Sequence, residues 1–299
     1  MTPWQLFLEC IDPAPQNAPA FSVPAALVTE GLNQLSYLPA AQWVSLAKKS
    51  LGVPTLTLQP GAGNFIPATV VAGDGTSTVV AIQGTKSWQQ WALYAAGGGV
   101  VPWLPGRGRV FGPFASLYHA ASSQLLPLLS QGSKIYVTGS SLGAAIGSLL
   151  LSTLQSQGFP QLRTAYLFAC PVHGDAAYLR VFSSQGFTIN HPLDPVPLLP
   201  ADAIARFQIS PWQLAFGSPL GSPGAHVWPF GNYSPIPSPQ QATYLSALAA
   251  QFLDPTLCAH NGYIYLRSIL ISLSPFYLEQ FFPFIDLLKT LGLLDPWTT

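Results

Sequence analysis

The chain has 299 residues, of which 49% are hydrophobic and only 7% charged, with 11 basic and 11 acidic side chains that cancel to a formal net charge of zero. A typical soluble domain carries about 25% charged residues, so this surface must present small neutral or apolar groups. The balance excludes a basic face for nucleic acid and an acidic disordered tail, while the apolar content suffices for one large core.

Residues 1–25 are rich in Pro and Ala and read as an arm lying on the surface. They lack a basic n-region followed by a long apolar run, so no signal peptide is expected. Residues 26–51 predict two helical pieces, the second starting near Pro39 and Ala40 and ending at Gly52. Thr69–Gly73 and Ser77–Gln83 read as paired strands around the Gly73-Asp74-Gly75 turn. Residues 86–106 are apolar and tryptophan-bearing, with three consecutive glycines at Gly97-Gly98-Gly99. Leu117–Leu129 predicts a helix, 134–139 a strand running into another helix, and Thr164–Cys170 and Phe187–Asn190 two more strands. Residues 207–240 form a loop region rich in Pro, Gly and Ser that holds the short run Ala225–Trp228. Gln241–Leu253 and the strongly hydrophobic Pro275–Leu294 read as helical. Strands alternating with helices predict an α/β fold in one domain over 1–299, with a mostly parallel central sheet and helices on both faces.

The apolar stretches Ala92–Leu104 and Ser268–Leu278 are too short for a membrane span. Three cysteines, Cys10, Cys170 and Cys258, have no metal-ligand spacing and read as free thiols, with at most one bridge among them. No His/Cys cluster predicts a metal site, and no phosphate loop or dinucleotide fingerprint predicts a cofactor.

The most informative stretch is Val137-Thr138-Gly139-Ser140-Ser141-Leu142-Gly143-Ala144-Ala145. It fits a nucleophile elbow, the G-x-S-x-G turn that exposes a serine between a strand and a helix. The residues two before and two after the serine must be small because two backbones approach there. The amide of Leu142 then points from the helix N-terminus toward a developing oxyanion. A serine hydroxyl needs an imidazole base, and the base needs a carboxylate to fix its tautomer. In this fold class the chain order is serine, then carboxylate, then histidine. Downstream of Ser141 stand seven carboxylates, Asp175, Asp194, Asp202, Asp254, Glu279, Asp286 and Asp295, and four histidines, His173, His191, His226 and His260.

Several separate blocks between about residues 69 and 266 resemble the class 3 lipases, the fungal-lipase-like α/β-hydrolases. Ala81-Ile82-Gln83-Gly84-Thr85-Lys86-Ser87, followed by Trp91, resembles the family's F-R-G-T/S strand end. Val110-Phe111-Gly112-Pro113-Phe114 is similar to V-H-x-G-F, and Thr138–Ala145 to T-G-H-S-L-G-G-A. Phe168–Asp175 resembles F-G-x-P-R-V-G-N/D, and Asp194–Pro200 D-x-V-P-x-L-P. Ala225-His226-Val227 is similar to an H-V strand, and His260-Asn261-Gly262-Tyr263 to H-x-x-Y. Gln83, Ser140 and His173 depart from the family's Arg, His and Arg.

The resemblance implies Ser141 as nucleophile, Asp194 as orienting carboxylate and His260 as general base, with an oxyanion hole from Thr85 and Leu142. His226 stands as the alternative base, and His173 as a candidate for the acyl site. The segment 86–106, with Trp88 and Trp91, is where the resembling lipases carry a mobile lid. The expected activity is ester hydrolysis, foremost on triacylglycerols, without cofactor, on a lipid or acyl ester partner. Other acyl hydrolases (phospholipase, feruloyl or short-chain esterase) and a catalytically silent lipid-binding protein are the alternatives.

Overall fold

The computed structural model describes residues 1–12, 21–61, 67–85, 98–129, 134–180, 186–190, 194, 196–198, 218–219, 226–229 and 262–294. Its centre is an eight-stranded sheet of β1 (Thr55–Gln59), β2 (Thr69–Gly73), β3 (Ser77–Ile82), β6 (Lys134–Ser140), β7 (Leu162–Phe168), β8 (Gly186–Asn190), β9 (Ser218–Pro219) and β10 (His226–Pro229), in the order β1-β2-β3-β6-β7-β8-β10-β9. A separate hairpin joins β4 (Val100–Pro102) to β5 (Arg109–Phe111).

Strand residues alternate between the two faces, as a pleated sheet requires. Val79, Ala81, Tyr136, Tyr166 and Phe168 point into one core, with α1 (Pro3–Ile11), α2 (Val23–Leu35), α3 (Ala40–Leu51), α7 (Gly262–Ile271) and α9 (Phe282–Thr290). Val80, Ile82, Ile135, Val137, Ala165 and Leu167 point into the other, with α4 (Gly112–Leu129) and α5 (Leu142–Ser156). Both faces are therefore covered. Two short α-helices, α6 (Ala176–Arg180) and α8 (Pro275–Gln280), and a 3-10 turn at Val196–Leu198 complete the described elements.

The sheet is mixed rather than mostly parallel. β3, β6, β7 and β8 run parallel in the middle, while β1 and β2 on one flank and β10 and β9 on the other pair antiparallel. β1, a flank strand with alternating exposure, is absent from the sequence expectations. The region expected as a surface arm begins instead with a docked helix. Thr2 caps α1 in a reciprocal capping box with Gln5, Trp4 and Phe7 are buried, and Trp4 Nε1 donates to Asp74 Oδ2 at 3.0 Å. The apolar C-terminal stretch is two helices, α8 and α9, broken at Phe281. Phe284 of α9 packs where a Cβ on Gly31 of α2 would lie 2.7 Å from its ring. Gln241–Leu253 lies outside the described residues.

The described part of the expected lid, residues 98–106, is pinned. Gly112 N donates to Gly99 O at 2.7 Å, and a Cβ on Gly98 would sit 2.9 Å from the Phe111 ring. Val100 faces Phe111 across the β4–β5 hairpin. Trp103 Nε1 donates to Ser152 Oγ of α5 at 2.8 Å, and its ring stands edge-on to Tyr118 of α4. Residues 98–106 are thus a hairpin held on α4 and α5, not a hinge, whereas Trp88 and Trp91 lie outside the described residues. No helix among the described residues is long and apolar enough to cross a membrane.

Candidate active site

Ser141 sits between β6 and α5 with φ 58° and ψ −125°. A non-glycine residue in that region costs about 1–3 kcal/mol and persists only where its surroundings over-determine it. The surroundings here are backbone. Ser141 N donates to Phe168 O at 2.9 Å, and Ala144 N donates to Ser141 O at 3.0 Å. A Cβ on Gly139 would run into the backbone of Gly143, and a Cβ on Gly143 into the Ile82 carbonyl. The two glycines of the motif therefore let β6, α5 and β3 converge at backbone contact. Ala169, just after Phe168, is the second non-glycine residue with positive φ among the described residues, at 50°, and its N–H donates to Ile189 O of β8 at 2.9 Å.

The loop after β3 abuts the serine. A Cβ on Gly84 would lie 3.0 Å from Ser141 Cβ and 2.6 Å from Ser140 O, and would strike the Tyr37 hydroxyl. Thr85 follows directly and is partly exposed. Leu142 opens α5, where backbone N–H groups lack intrahelical acceptors. The loop after β3 and the first turn of α5 thus flank the serine.

Asp194 lies beyond the C-terminal end of β8 and is buried. Val196 N donates to its Oδ1 at 2.8 Å, and the Tyr265 hydroxyl of α7 donates to Oδ2 at 2.6 Å. Tyr265 is fully buried and stands edge-on to Phe168. Sequence reading missed it, because nothing local to position 265 announces a partner 71 residues away. His260 lies outside the described residues. β10 places His226 opposite Asn190 in register.

His173 is engaged elsewhere. Its Nδ1 is 2.8 Å from Pro171 O and its Nε2 2.8 Å from Ser148 Oγ, which in turn lies 2.8 Å from Tyr178 Oη. One proton order fits all three contacts: Nδ1–H donates to the carbonyl, Ser148 to Nε2, and Tyr178 to Ser148. Burial pushes the imidazole down to about 4, so it stays neutral in this packing. The Ser148–His173 pair has the bond of a catalytic dyad without its setting. Ser148 is fully buried within α5, and a backbone carbonyl rather than a carboxylate takes the far imidazole nitrogen.

A second buried network lies under the site on α2. Glu30 is fully buried and accepts from Asn33 Nδ2 at 3.0 Å and Gln34 Nε2 at 2.7 Å. Asn33 Nδ2 is also 3.0 Å from Thr138 Oγ1 of β6, while Asn33 Oδ1 has no partner among the described residues. Neither ion pair found among the described residues involves Glu30. Burial raises its carboxyl to about 8, against the smaller opposing effect of the two amide donors. Cys10 and Cys170 are free thiols. Among the described residues no group of three or more His, Cys, Asp or Glu could hold a metal ion.

Residues 79–203 match the family described as lipase (class 3). Over 80 residues the chain is 36% identical to secreted mono- and diacylglycerol lipase A of Penicillium cyclopium, a match covering 26% of each; it thus spans about a quarter of that curated relative. The fold is similar to a lipase from Rhizopus microsporus var. chinensis, at 21% identity over 64% of this chain and 77% of that one, with a TM-score of 0.52. It is also similar to a triacylglycerol lipase whose catalytic centre is a serine protease triad, at 19% identity over 61% and 76%, again with a TM-score of 0.52. These structural likenesses show the α/β-hydrolase fold. The segment that holds most of β3, the elbow and Asp194 is thus the part of the chain that is similar to the class 3 lipases.

Proposed function

We propose that this protein is a serine carboxylic ester hydrolase of the lipase type, acting on acylglycerols. Ser141 serves as nucleophile, His260 as general base and Asp194 as the carboxylate that orients it, with Thr85 and Leu142 donating to the oxyanion. The observation that carries the reading is Ser141 itself, strained at positive φ and wedged between β6, α5 and the Gln83–Thr85 loop. Asp194 supports it as a buried carboxylate past the end of β8. His260 stands two residues before α7, whose Tyr265 hydroxyl reaches that carboxylate. The names of the relatives support the substrate class.

The chemistry proceeds by acyl transfer. Ser141 Oγ attacks the ester carbonyl as His260 takes its proton, and the carbonyl oxygen becomes an oxyanion between the two donors. The imidazolium then protonates the departing alcohol. Water, deprotonated by the same imidazole, releases the acid and restores Ser141.

A second reading, an esterase for small soluble esters, draws on the pinned 98–106 hairpin, which leaves less of the segment free to move. One experiment tests both. Hydrolysis of p-nitrophenyl esters of increasing chain length and of mono-, di- and triglyceride emulsions is measured for the native chain and for Ser141→Ala. The variant should lose about four to six orders of magnitude. Retained turnover refutes Ser141 as nucleophile, and activity confined to short soluble esters favours the second reading.

A further inference from the structure

The C-terminal end of α2 touches both halves of the machinery assigned above. On the elbow side, Asn33 bridges Glu30 and Thr138, and Thr138 Oγ1 donates to Tyr166 O of β7 at 2.7 Å. On the other side, Gln83 is buried and its Nε2 donates to Ser36 O at 2.6 Å, while Ser36 Oγ donates back to Asn33 O at 2.5 Å. The next residue, Tyr37, sets its hydroxyl against Gly84, where a Cβ would lie 2.4 Å from that oxygen. Two successive residues before Thr85 are therefore held against two successive residues at the end of α2. Asn33, Ser36 and Gln83 are polar and buried, where an apolar packing would serve stability as well. What they add is a fixed separation between the Thr85 amide and the serine.

We propose that this face of α2, keyed by Asn33 and ending at Tyr37, is a positioning device that sets the Gln83–Thr85 loop against Ser141 for acyl transfer. The proposal rests on the hydrolase reading above. Tyr37 and Asn33 act through the loop and the elbow strand rather than on the reacting atoms. Loosening the loop weakens an interaction made in the transition state and leaves ground-state binding alone, so its signature is a fall in kcat at constant KM.

The test uses the full chain, a soluble p-nitrophenyl ester and a fluorophosphonate probe. Tyr37→Phe removes only the hydroxyl, and Asn33→Ala removes the bridge. Each should lower kcat about tenfold or more with KM unchanged, and slow fluorophosphonate labelling in proportion. Combined with Thr85→Val, Tyr37→Phe should cost less than the product of the two separate losses, because both act through one loop. Should Asn33→Ala fail to fold, Tyr37→Phe decides alone. Unchanged kcat in a folded Tyr37→Phe variant, or strictly multiplicative losses with Thr85→Val, overturns the positioning role. Ser141→Ala, run alongside, separates the two failures, since turnover by that variant refutes Ser141 as nucleophile, the assignment on which the proposal rests.

Discussion

Replacing Glu30 by Gln should stabilise the protein, although it removes a carboxyl that two amides hydrogen-bond. The carboxyl sits near 4.5 in the unfolded chain and is raised to about 8 in the fold. The folded state thus binds this proton more tightly than the unfolded state does. Stability is lost as pH climbs from the lower value through the higher one, at about 1.4 kcal/mol per pH unit. At pH 7 the loss amounts to about 3 kcal/mol, since the unfolded carboxyl has ionised and the folded one has not. Gln titrates in neither state. It can keep the acceptor facing Asn33, and its new N–H can be met by the Gln34 amide, which is only partly buried, turned so that its oxygen accepts. Urea unfolding at pH 4, 5.5, 7 and 8.5 checks this. The two proteins should coincide at the acid end and separate to about 3 kcal/mol at pH 7, or roughly 5–10 °C in Tm. A variant no more stable than the native chain at pH 7, with an unchanged pH slope, would show that Glu30 folds as an anion and would sink the argument.

His173 works in the opposite sense. Its folded value of about 4 lies below the ordinary 6.5, so it should drain stability as pH falls between those values, and His173→Gln should flatten that acid limb in the same unfolding series. Gly143→Ala should fail to fold stably, because the new Cβ meets the Ile82 and Gln83 carbonyls, which are backbone and cannot yield; Gly147→Ala, whose nearest contacts are side-chain atoms at 3.3 Å, should fold, and equal circular-dichroism melts for the two would refute the steric reading of the elbow. For the base, His260→Ala should abolish ester turnover and His226→Ala should keep measurable activity, the reverse result reassigning the role. Trp103→Phe should lose about 1–2 kcal/mol with its bond to Ser152, and leave turnover on a soluble ester within a factor of two; a large kinetic change would mean that the hairpin takes part in the site.

The elbow was legible because its demands are local: the steric need for glycine two residues to either side of the serine is written within five positions. Asp194 was legible through the resemblance of Asp194–Pro200 to a family block. Tyr265 and Tyr37 were not, since what they touch sits on other elements, and Glu30 was not, since its side chain looks the same whether buried or free. Helices on both faces followed from alternating strands and helices, and the antiparallel β2–β3 pair from its turn, but strand direction elsewhere is set by the path of the chain between strands, and so the antiparallel placing of β1, β9 and β10 escaped. β1 escaped because Thr55–Gln59 exposes three of its five residues strongly and carries little apolar signal. The arm expected at 1–25 came from composition averaged over a stretch that hides the capped, amphipathic Pro3–Ile11.

The strand order has a kinetic side. β1, β2 and β3 are neighbours in sequence as well as in space, so their meander can close over short loops. β3 meets β6 only after α4 and the β4–β5 hairpin have been made, and β8 then adds beyond β7. Long-range parallel pairings are slow to form because loop closure must precede any contact that rewards it. The strained backbone at Ser141 is therefore the product of late events: it is enforced by Phe168 on one side and by β3 on the other. With Ser141 as the proposed nucleophile, a chain still folding would carry it as an ordinary hydroxyl until the parallel middle of the sheet has docked, so the gain of fluorophosphonate labelling during refolding would act as a clock for that step.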